Sequence, residues 1–307
     1  MQNFLQQFLR TNLERKSVLA IAAGILFLPI VIYGWQHFQR PPLTNTKKVL
    51  FKGIEYERSI VKKPRPVVIH IISIDLTEPG IKVLVTPPQN QQSYSTKART
   101  TSDFLKEFRL QLAINANYFH PFHENTPWDY YPRTGDIVST VGQAINHGRA
   151  YGKADSKWYV SCFGKNNLLQ ILKSDRCPDH TLQGIAGKEM LVINGESSNQ
   201  QDNQDKPYSR VAIATNKEGN KLWLIAVDGK QPLYSEGLKK TELTNILLNL
   251  GVDRALNLDG GGSTTLVMEK DNQPKLLNSP SHTKIPMHER PVANHIGFYA
   301  EVVDRHW

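Results

Sequence analysis

The sequence contains little cysteine: Cys162 and Cys177 are the two cysteines among 307 residues. Neither belongs to a C-x-x-C pair, and two thiolates alone cannot complete the four-ligand shell of a structural zinc site. In an oxidising compartment they would close a loop of about fifteen residues, worth about 3 kcal/mol in the chain-entropy model, whereas in the cytosol they would be two unrelated thiols. We predict a disulfide between Cys162 and Cys177.

A dense block of basic residues is also missing, although the formal net charge is +9. The first sixteen residues contribute +2 of this excess, and the remainder is spread along the chain. The sequence has no helix-turn-helix, zinc-finger or RNA-binding signature, which argues against a nucleic-acid partner. Dispersed positive charge suits an anionic substrate or a membrane surface better.

The longest uncharged run lies near the amino end, over residues 18–33, and Gly34 and Trp35 extend it. A helix of this length reaches roughly 27 Å, close to the thickness of a hydrocarbon core, with Trp35 at the interface. Because basic residues precede the run, we predict a cytoplasmic basic tail over residues 1–16 and a transmembrane signal-anchor over residues 17–35. A cleaved signal peptide is the alternative, although no A-x-A-like cleavage site follows. A buried soluble helix is disfavoured because no face of the run is polar.

The rest of the chain predicts a strand-rich domain outside the cytoplasm. Residues 36–66 indicate a linker and a leading strand, and residues 67–307 indicate a single domain. Apolar runs on either side of a polar turn predict a hairpin over residues 210–227. A helix should begin near Thr241, where apolar residues recur at i, i+3, i+4 and i+7, and Gly251 should cap it. Strands outnumber helices, so we predict an α+β fold with mixed or antiparallel sheets.

The most distinctive stretch is residues 255–268, where two apolar runs flank an acidic residue, three glycines and three hydroxyl residues. This pattern predicts a strand, a sharp turn and a second strand. Side chains alternate along a strand, so Asn257 and Asp259 should point to the same side. The amides of the three glycines can converge on an anion such as phosphate, with Asp259 at the edge. The alternative is a glycine-rich turn without a function.

A second polar loop follows the strand predicted over residues 110–114. His120, His123 and Glu124 are weak candidates for metal ligands, because Pro121 prevents a regular helical i, i+3 pairing and the spacing matches no standard motif. The aromatic residues of this loop either pack on one another or stack on a sugar. We expect no cofactor.

Five short motifs follow one another along the chain. They are an asparagine-led aromatic motif at residues 115–119, an arginine-bearing strand at 209–214, Val-Asp-Gly at 227–229, Asn-Leu-Asp-Gly-Gly-Gly-Ser at 257–263 and Arg-Pro-Val-Ala-Asn at 290–294. In type and order they resemble the phosphodiester glycosidase family, whose Asn-Leu-Asp-Gly-Gly-Gly-Ser signature is matched without a gap. Ala116 and Asn117 replace the family's glycine pair, and Lys230 stands where arginine is common.

The resemblance implies a hydrolase that cleaves a sugar-1-phosphodiester. The leaving group of such a substrate is a phosphate monoester, already a stable anion, so one carboxylate and good neutralisation of the phosphate can suffice. Asp259 would be the nucleophile or base at the anomeric carbon, and Asp228 the second carboxylate. Arg210 and Arg290 would bind the phosphate, since a guanidinium binds two oxygens at once. The other expected substrate-binding residues are Asn115, Tyr118, Asn257, Gly260, Gly261, Gly262, Ser263 and Thr264.

Two other functions are alternatives. The chain could be a non-catalytic carbohydrate-binding or polysaccharide-assembly factor, or a metal-dependent phosphodiesterase that uses Asp228, Asp259 and nearby histidines. For all three functions we expect a single-pass membrane protein whose main domain is periplasmic or extracellular. The expected substrates are cell-envelope or exopolysaccharide glycans.

Overall fold

The computed structural model describes residues 24, 26–29, 31–90, 94–198 and 205–303. Residues 24, 26–29 and 31–38 are helical. Within the described ranges, every helix is too short or too polar to span a membrane. The predicted basic tail over residues 1–16 lies outside the described residues, and nine of the nineteen residues of the predicted anchor over residues 17–35 also lie outside them, so both stay predictions. The following part of the chain, Pro41–Trp307, forms one compact unit.

Within the described residues, this unit contains two α-helices and many short strands. The helices are α1 (Thr101–Glu107) and α2 (Lys240–Asn249). The strands are β1 (Thr46–Phe51), β2 (Ile54–Val61), β3 (Val67–Asp75), β4 (Lys82–Val85), β5 (Ser95–Lys97), β6 (Leu112–Asn115), β7 (Phe119–His120), β8 (His123–Glu124), β9 (Tyr130–Tyr131), β10 (Ile137–Thr140), β11 (Ala144–Asn146), β12 (Arg149–Tyr151), β13 (Tyr159–Phe163), β14 (Leu169–Leu172), β15 (Gln183–Gly187), β16 (Glu189–Ile193), β17 (Glu196–Ser197), β18 (Arg210–Thr215), β19 (Lys221–Val227), β20 (Arg254–Asn257), β21 (Leu266–Lys270), β22 (Gln273–Leu276) and β23 (His295–Tyr299).

Two antiparallel sheets form the centre of the unit. The first has eight strands in the order β1-β2-β3-β19-β18-β20-β16-β17, and the second has five in the order β22-β21-β6-β23-β4. Their inner faces meet in one apolar core, to which Ile72, Ile213 and Leu256 contribute from the first sheet and Ile114 and Phe298 from the second. Burial on both faces explains why β3 is almost continuously apolar.

One helix covers the outer face of each central sheet. Leu243 and Leu247 of α2 pack in one cluster with Ala212, Trp223 and Ala255 of the eight-stranded sheet. The helix α1 covers the five-stranded sheet in the same way, because Phe104 and Leu105 lie in one cluster with Ala113 and Val267. The order of layers is therefore helix, sheet, sheet, helix, which fits the predicted strand-rich α+β class.

A third sheet, in the order β12-β11-β15-β13-β14, carries the disulfide. Cys162 of β13 is bonded to Cys177, with the two Cα atoms 5.7 Å apart. The predicted disulfide is confirmed. Two smaller sheets, β5-β10-β7 and β8-β9, complete the unit.

Several predicted elements have the expected bounds. The hairpin over residues 210–227 pairs Arg210 with Val227 and Thr215 with Leu222. The helix predicted near Thr241 is α2, and Gly251 behind it has the left-handed φ of 74° that a C-terminal cap requires. The leading strand of residues 36–66 is instead a hairpin of β1 and β2 that joins the main sheet through β3.

Candidate active site

The glycine-rich stretch connects the two central sheets. Strand β20 belongs to the eight-stranded sheet and β21 to the five-stranded sheet, and a 3-10 turn at Gly261–Ser263 lies between them. The predicted order of strand, sharp turn and strand is confirmed, but the two strands do not pair with each other. The Asp259 amide donates to the carbonyl of Ala116 at 3.0 Å. This bond fixes Asp259 against the end of β6, where the two sheets meet.

A cavity of about 270 Å³ opens beside this crossing. Its lining combines four aromatic rings with two guanidinium groups, one carboxylate and four smaller polar or apolar residues. The lining residues are Tyr118, Phe119, Phe122, Tyr208, Ser209, Arg210, Asn257, Leu258, Asp259, Gly260 and Arg290. Asn257 and Asp259 thus line the same cavity, together with Leu258 between them. The mixture of aromatic faces with charged groups suits a small anionic ligand with an apolar ring face.

Among the residues lining this cavity, Asp259 is the one carboxylate. Burial raises its pKa from 3.8 to about 6, although the Ser263 hydroxyl, the positive charge of Arg290 and the Gly260 amide all act to lower it. The Ser263 hydroxyl also accepts a hydrogen bond from Arg290 Nη1 at 3.1 Å. Ser263 therefore orients the guanidinium and the carboxylate relative to each other.

The three glycines of the turn allow close packing against neighbouring groups. The Gly261 amide donates to the Ser209 carbonyl at 2.9 Å. Gly261 has a φ of 62°. A Cβ atom at Gly262 would collide with the Arg290 guanidinium. The Gly261 amide, one of the three that we predict to converge on a phosphate, is therefore already bonded within the protein, and binding of a phosphate by the other two stays a prediction.

Arg290 lies in the wall of the cavity and uses all three guanidinium nitrogens. Besides the bond to Ser263, its Nε donates to His282 Nδ1 at 3.3 Å and its Nη2 donates to Glu124 Oε2. Its plane also lies over the Phe122 ring, 4.6 Å from the ring centroid. The side chain is only 9% exposed, so its orientation is set by these contacts.

Arg210 supplies the second guanidinium group in the cavity lining. Its Nε donates to the Leu238 carbonyl at 3.2 Å, and its Nη2 contacts Asp205 Oδ1 at 3.3 Å and the Lys206 carbonyl at 2.9 Å. Strand β18 begins with Arg210, which places the side chain at the edge of the sheet next to the cavity. Both predicted phosphate-binding arginines are thus brought to one site.

Two polar atoms in the cavity lining are buried without a hydrogen-bond partner among the described residues: Asn257 Oδ1 and Ser209 Oγ. The other end of the Asn257 amide donates to Tyr118 Oη at 3.4 Å. Burial and the negative charge of Asp259 hold the pKa of Tyr118 well above its usual value, so its phenol stays protonated. Polar atoms of a cavity lining that have no hydrogen-bond partner in the protein are positions where the hydroxyl groups of a ligand can form hydrogen bonds.

The structure does not bring Asp228 to the cavity. Its side chain is fully buried, with Oδ2 3.1 Å from His70 Nε2. Its Oδ1 accepts hydrogen bonds from Asn278 Nδ2 at 3.0 Å and from the Ser279 amide at 2.9 Å. The predicted second carboxylate is therefore engaged between the sheets, with its accepting oxygens bonded to protein groups.

Two other predicted binding residues support the site from behind. Asn115 donates to the Asp259 carbonyl at 2.6 Å and accepts from the Thr265 amide at 3.0 Å, so it ties the crossing to β6. Thr264 is 2% exposed, and its carbonyl accepts from Asn278 at 3.0 Å. Neither residue lines the cavity.

The three weak metal candidates separate in the structure. His120 and His123 are exposed, and His123 Nε2 lies 3.3 Å from Asp129 Oδ1. Glu124 turns towards Arg290 and also accepts a hydrogen bond from the Thr283 amide. In the part of the chain that the structure describes, no group of three or more His, Cys, Asp or Glu side chains is placed to hold a metal ion.

Phe119, Phe122, Tyr208 and Ser209 also line the cavity, although the sequence analysis did not name them as binding residues. Phe119 and Ser209 lie within the motifs at residues 115–119 and 209–214, and Tyr208 adjoins the second motif, so position in the chain was an available signal. Sequence reasoning also missed the contact between Glu124 and Arg290, which are 166 residues apart. A single sequence carries no signal for such a contact.

Comparisons with known proteins identify the family and similar folds. The sequence model of the phosphodiester glycosidase family matches residues 108–299. A search of curated proteins found no match. Among solved structures, the zebrafish N-acetylglucosamine-1-phosphodiester alpha-N-acetylglucosaminidase catalytic domain, auto-inhibited by its pro-peptide, is similar with a TM-score of 0.60, 20% identity and coverage of 87% of this chain and 93% of that chain. A hypothetical protein from Synechocystis is similar with a TM-score of 0.54, 15% identity and coverage of 85% and 64%. At these identities the structural likeness concerns the fold.

Proposed function

The chain belongs to the phosphodiester glycosidase family, and from this premise we propose that it hydrolyses a sugar-1-phosphodiester in the cavity that Asp259 lines. The family makes the chain a glycosidase that acts on glycosyl phosphodiesters. One observation carries the assignment of the site: a single carboxylate and the two guanidinium groups of Arg210 and Arg290 line the same small cavity. This is the charge pattern that a phosphate beside an anomeric carbon requires.

The substrate lies in the cavity with its phosphate towards the guanidinium groups and its sugar towards the aromatic and amide groups. The unpartnered Asn257 Oδ1 and Ser209 Oγ accept or donate hydrogen bonds to sugar hydroxyls. Rings such as Tyr118 and Phe119 cover the apolar face of the pyranose. A volume of about 270 Å³ suits one sugar with its phosphate rather than an oligosaccharide.

The reaction breaks the bond between the anomeric carbon and the phosphate oxygen, and the phosphate monoester leaves with the bonding electrons. Water adds its hydroxyl to the anomeric carbon, and Asp259 accepts the water proton. A base whose pKa is about 6 is largely ionised at neutral pH yet still basic enough to take a proton. If Asp259 attacks the carbon itself, a glycosyl ester forms first and water then hydrolyses it.

Positive charge supports the departure of the leaving group. The phosphate gains negative charge as the bond breaks, and a preorganised guanidinium stabilises that charge more strongly in a dry site than in water. Arg290 is held in place by Ser263 and His282, so the guanidinium itself needs little reorganisation. A strong general acid is not required, because the departing monoester is a stable anion.

We also propose that the catalytic unit works outside the cytoplasm, anchored by residues 17–35, on cell-envelope or exopolysaccharide glycans. The disulfide supports this location, since such bonds persist in oxidising compartments. A reporter enzyme that is active only outside the cytoplasm, fused to the carboxyl end of the full chain, should be active. An inactive reporter on a stably expressed fusion would place the unit in the cytoplasm.

The decisive experiment is a turnover screen of the full chain in detergent against a panel of sugar-1-phosphodiesters. The panel begins with N-acetylglucosamine, the sugar in the name of the zebrafish relative. We expect release of free sugar that survives a chelator and disappears in Asp259→Asn. Glycan binding without any turnover would favour a non-catalytic role. Loss of turnover on chelation, restored by added metal, would favour a metal-dependent phosphodiesterase.

A further inference from the structure

Glu124 places a carboxylate on the guanidinium that should hold the substrate's phosphate. One oxygen of Glu124 accepts from Arg290 Nη2, and the other accepts from the Thr283 amide. The second oxygen also lies 3.4 Å from His282 Nδ1, the nitrogen to which Arg290 Nε donates. Although partial burial acts to raise it, the positive charge of Arg290 and the Thr283 amide hold the pKa of Glu124 below its usual value. Glu124 is therefore ionised at neutral pH.

A phosphate group presents the same features as this carboxylate, namely two charged oxygens that a guanidinium and a backbone amide can share. We propose that Glu124 is a resident anion in the phosphate subsite: the substrate's phosphate displaces it from Arg290 Nη2 and the Thr283 amide, and it returns as the product leaves. This proposal rests on the proposed function, because it takes Arg290 as the phosphate-binding group.

The structure indicates which partner moves. Arg290 is 9% exposed and is also bonded to Ser263 and His282, whereas the Glu124 side chain is 26% exposed. Glu124 belongs to β8, which pairs with β9 alone in a two-stranded sheet of its own. Displacing Glu124 therefore breaks no hydrogen bond of the central sheets and leaves the arginine in place.

The backbone that faces Glu124 is held in an unusual conformation. Thr283 has a φ of 54° and Lys284 a φ of 62°, and the left-handed region is unfavourable for a β-branched residue such as threonine. This conformation presents the Thr283 amide to an anion. Next to it, His282 is 1% exposed and its Nε2 has no hydrogen-bond partner among the described residues. Both features are consistent with a built anion subsite rather than an accidental ion pair.

The return of the Glu124 carboxylate to Arg290 would help the product to leave the site. The substrate diester carries one negative charge on its phosphate, whereas the product monoester carries up to two near neutral pH. The product would therefore bind the arginine more tightly than the substrate does. Competition from Glu124 weakens the binding of both substrate and product to Arg290, and it therefore limits how long the product stays bound.

The test is calorimetric titration of inorganic phosphate into the full chain and into Glu124→Gln, which keeps the shape and removes the charge. The matched control is Asp129→Asn. It neutralises an exposed carboxylate that contacts His123 and Asn125, beside the same two-stranded sheet, but not Arg290. We expect Glu124→Gln to bind phosphate roughly tenfold more tightly, since a charge-assisted hydrogen bond no longer has to be broken. The control should bind as the wild type does.

Unchanged or weaker phosphate binding by Glu124→Gln would overturn the proposal, because it would make Glu124 a support for Arg290 rather than its competitor. Glu124→Ala, checked for folding by thermal unfolding, must shift the affinity in the same direction. The titration needs no turnover, so it separates the two proposals. Tighter phosphate binding by a chain that cleaves no phosphodiester would reject the proposed function alone, and full turnover without tighter binding would reject the resident anion alone.

Discussion

Replacing Asp259 by asparagine tests the chemistry and the energetics of the site together. Burial raises the pKa of Asp259 from 3.8 to about 6, so the folded protein holds this proton more tightly than the unfolded chain does. The ionised carboxylate is correspondingly unfavourable in the folded state. At about 1.36 kcal/mol per pKa unit, the shift corresponds to about 3 kcal/mol once the pH is well above 6.

The sign of the pH dependence follows from that shift. Well below pH 3.8 the carboxyl group is neutral in both states, and its stability contribution is fully present. As the pH rises through about 6, the folded wild type loses this contribution, whereas asparagine does not titrate. The stability of Asp259→Asn relative to the wild type should therefore grow by about 2.5 kcal/mol between pH 4 and pH 7.5, or about 4 °C in melting temperature for a unit of this size.

Activity should change in the opposite direction. Loss of a general base typically costs roughly 10²- to 10⁴-fold in kcat, so the variant should be more stable at neutral pH and nearly inactive. Thermal unfolding at several pH values, with kcat on the best sugar-1-phosphodiester, measures both effects. Asp271→Asn, which changes a carboxylate that is 86% exposed, is the matched control and should show neither effect.

Two results would refute this reasoning. A difference in melting temperature between Asp259→Asn and the wild type that stays constant from pH 4 to pH 7.5 would show that the carboxyl pKa is not raised. Full activity of the variant would remove Asp259 from the chemistry. In the wild type, kcat/KM should rise with pH around 6, because the ionised carboxylate is the acting form.

Other substitutions separate structural from catalytic roles. Asp228→Ala should lower the free energy of unfolding by about 3–5 kcal/mol in chemical denaturation, since it leaves the buried partners of that carboxylate unpaired; an inactive variant of unchanged stability would instead make Asp228 a catalytic group. Gly262→Ala should reduce kcat/KM by roughly 10²-fold because its methyl group would displace the active-site guanidinium, whereas Gly164→Ala, where a Cβ meets no atom within 4 Å, should behave as the wild type. Replacing both Cys162 and Cys177 by serine should lower the free energy of unfolding by about 3 kcal/mol; equal melting temperatures with and without reductant in the wild type would contradict this.

The features that depend on neighbouring residues follow from the sequence alone. The hairpin over residues 210–227 and the helix ending before Gly251 appear where periodicity and turn residues place them, because those signals act over a few residues. The expectation that Asn257 and Asp259 share a site has the same origin, and both residues line one cavity. The disulfide was predictable because the chain has two cysteines and therefore one possible pair.

The tertiary structure decided which charged groups meet. Asp228 and Asp259 both follow apolar strands of the same sheet and look equivalent in the sequence, yet one is bonded between the sheets and the other lines the cavity. The Gly261 amide is bonded to the Ser209 carbonyl, a partner that no local pattern indicates. Glu124 reaches Arg290 across 166 residues. Such contacts depend on how the two sheets stack and where their loops converge, and no local pattern of residues encodes a distance between segments so far apart in the chain.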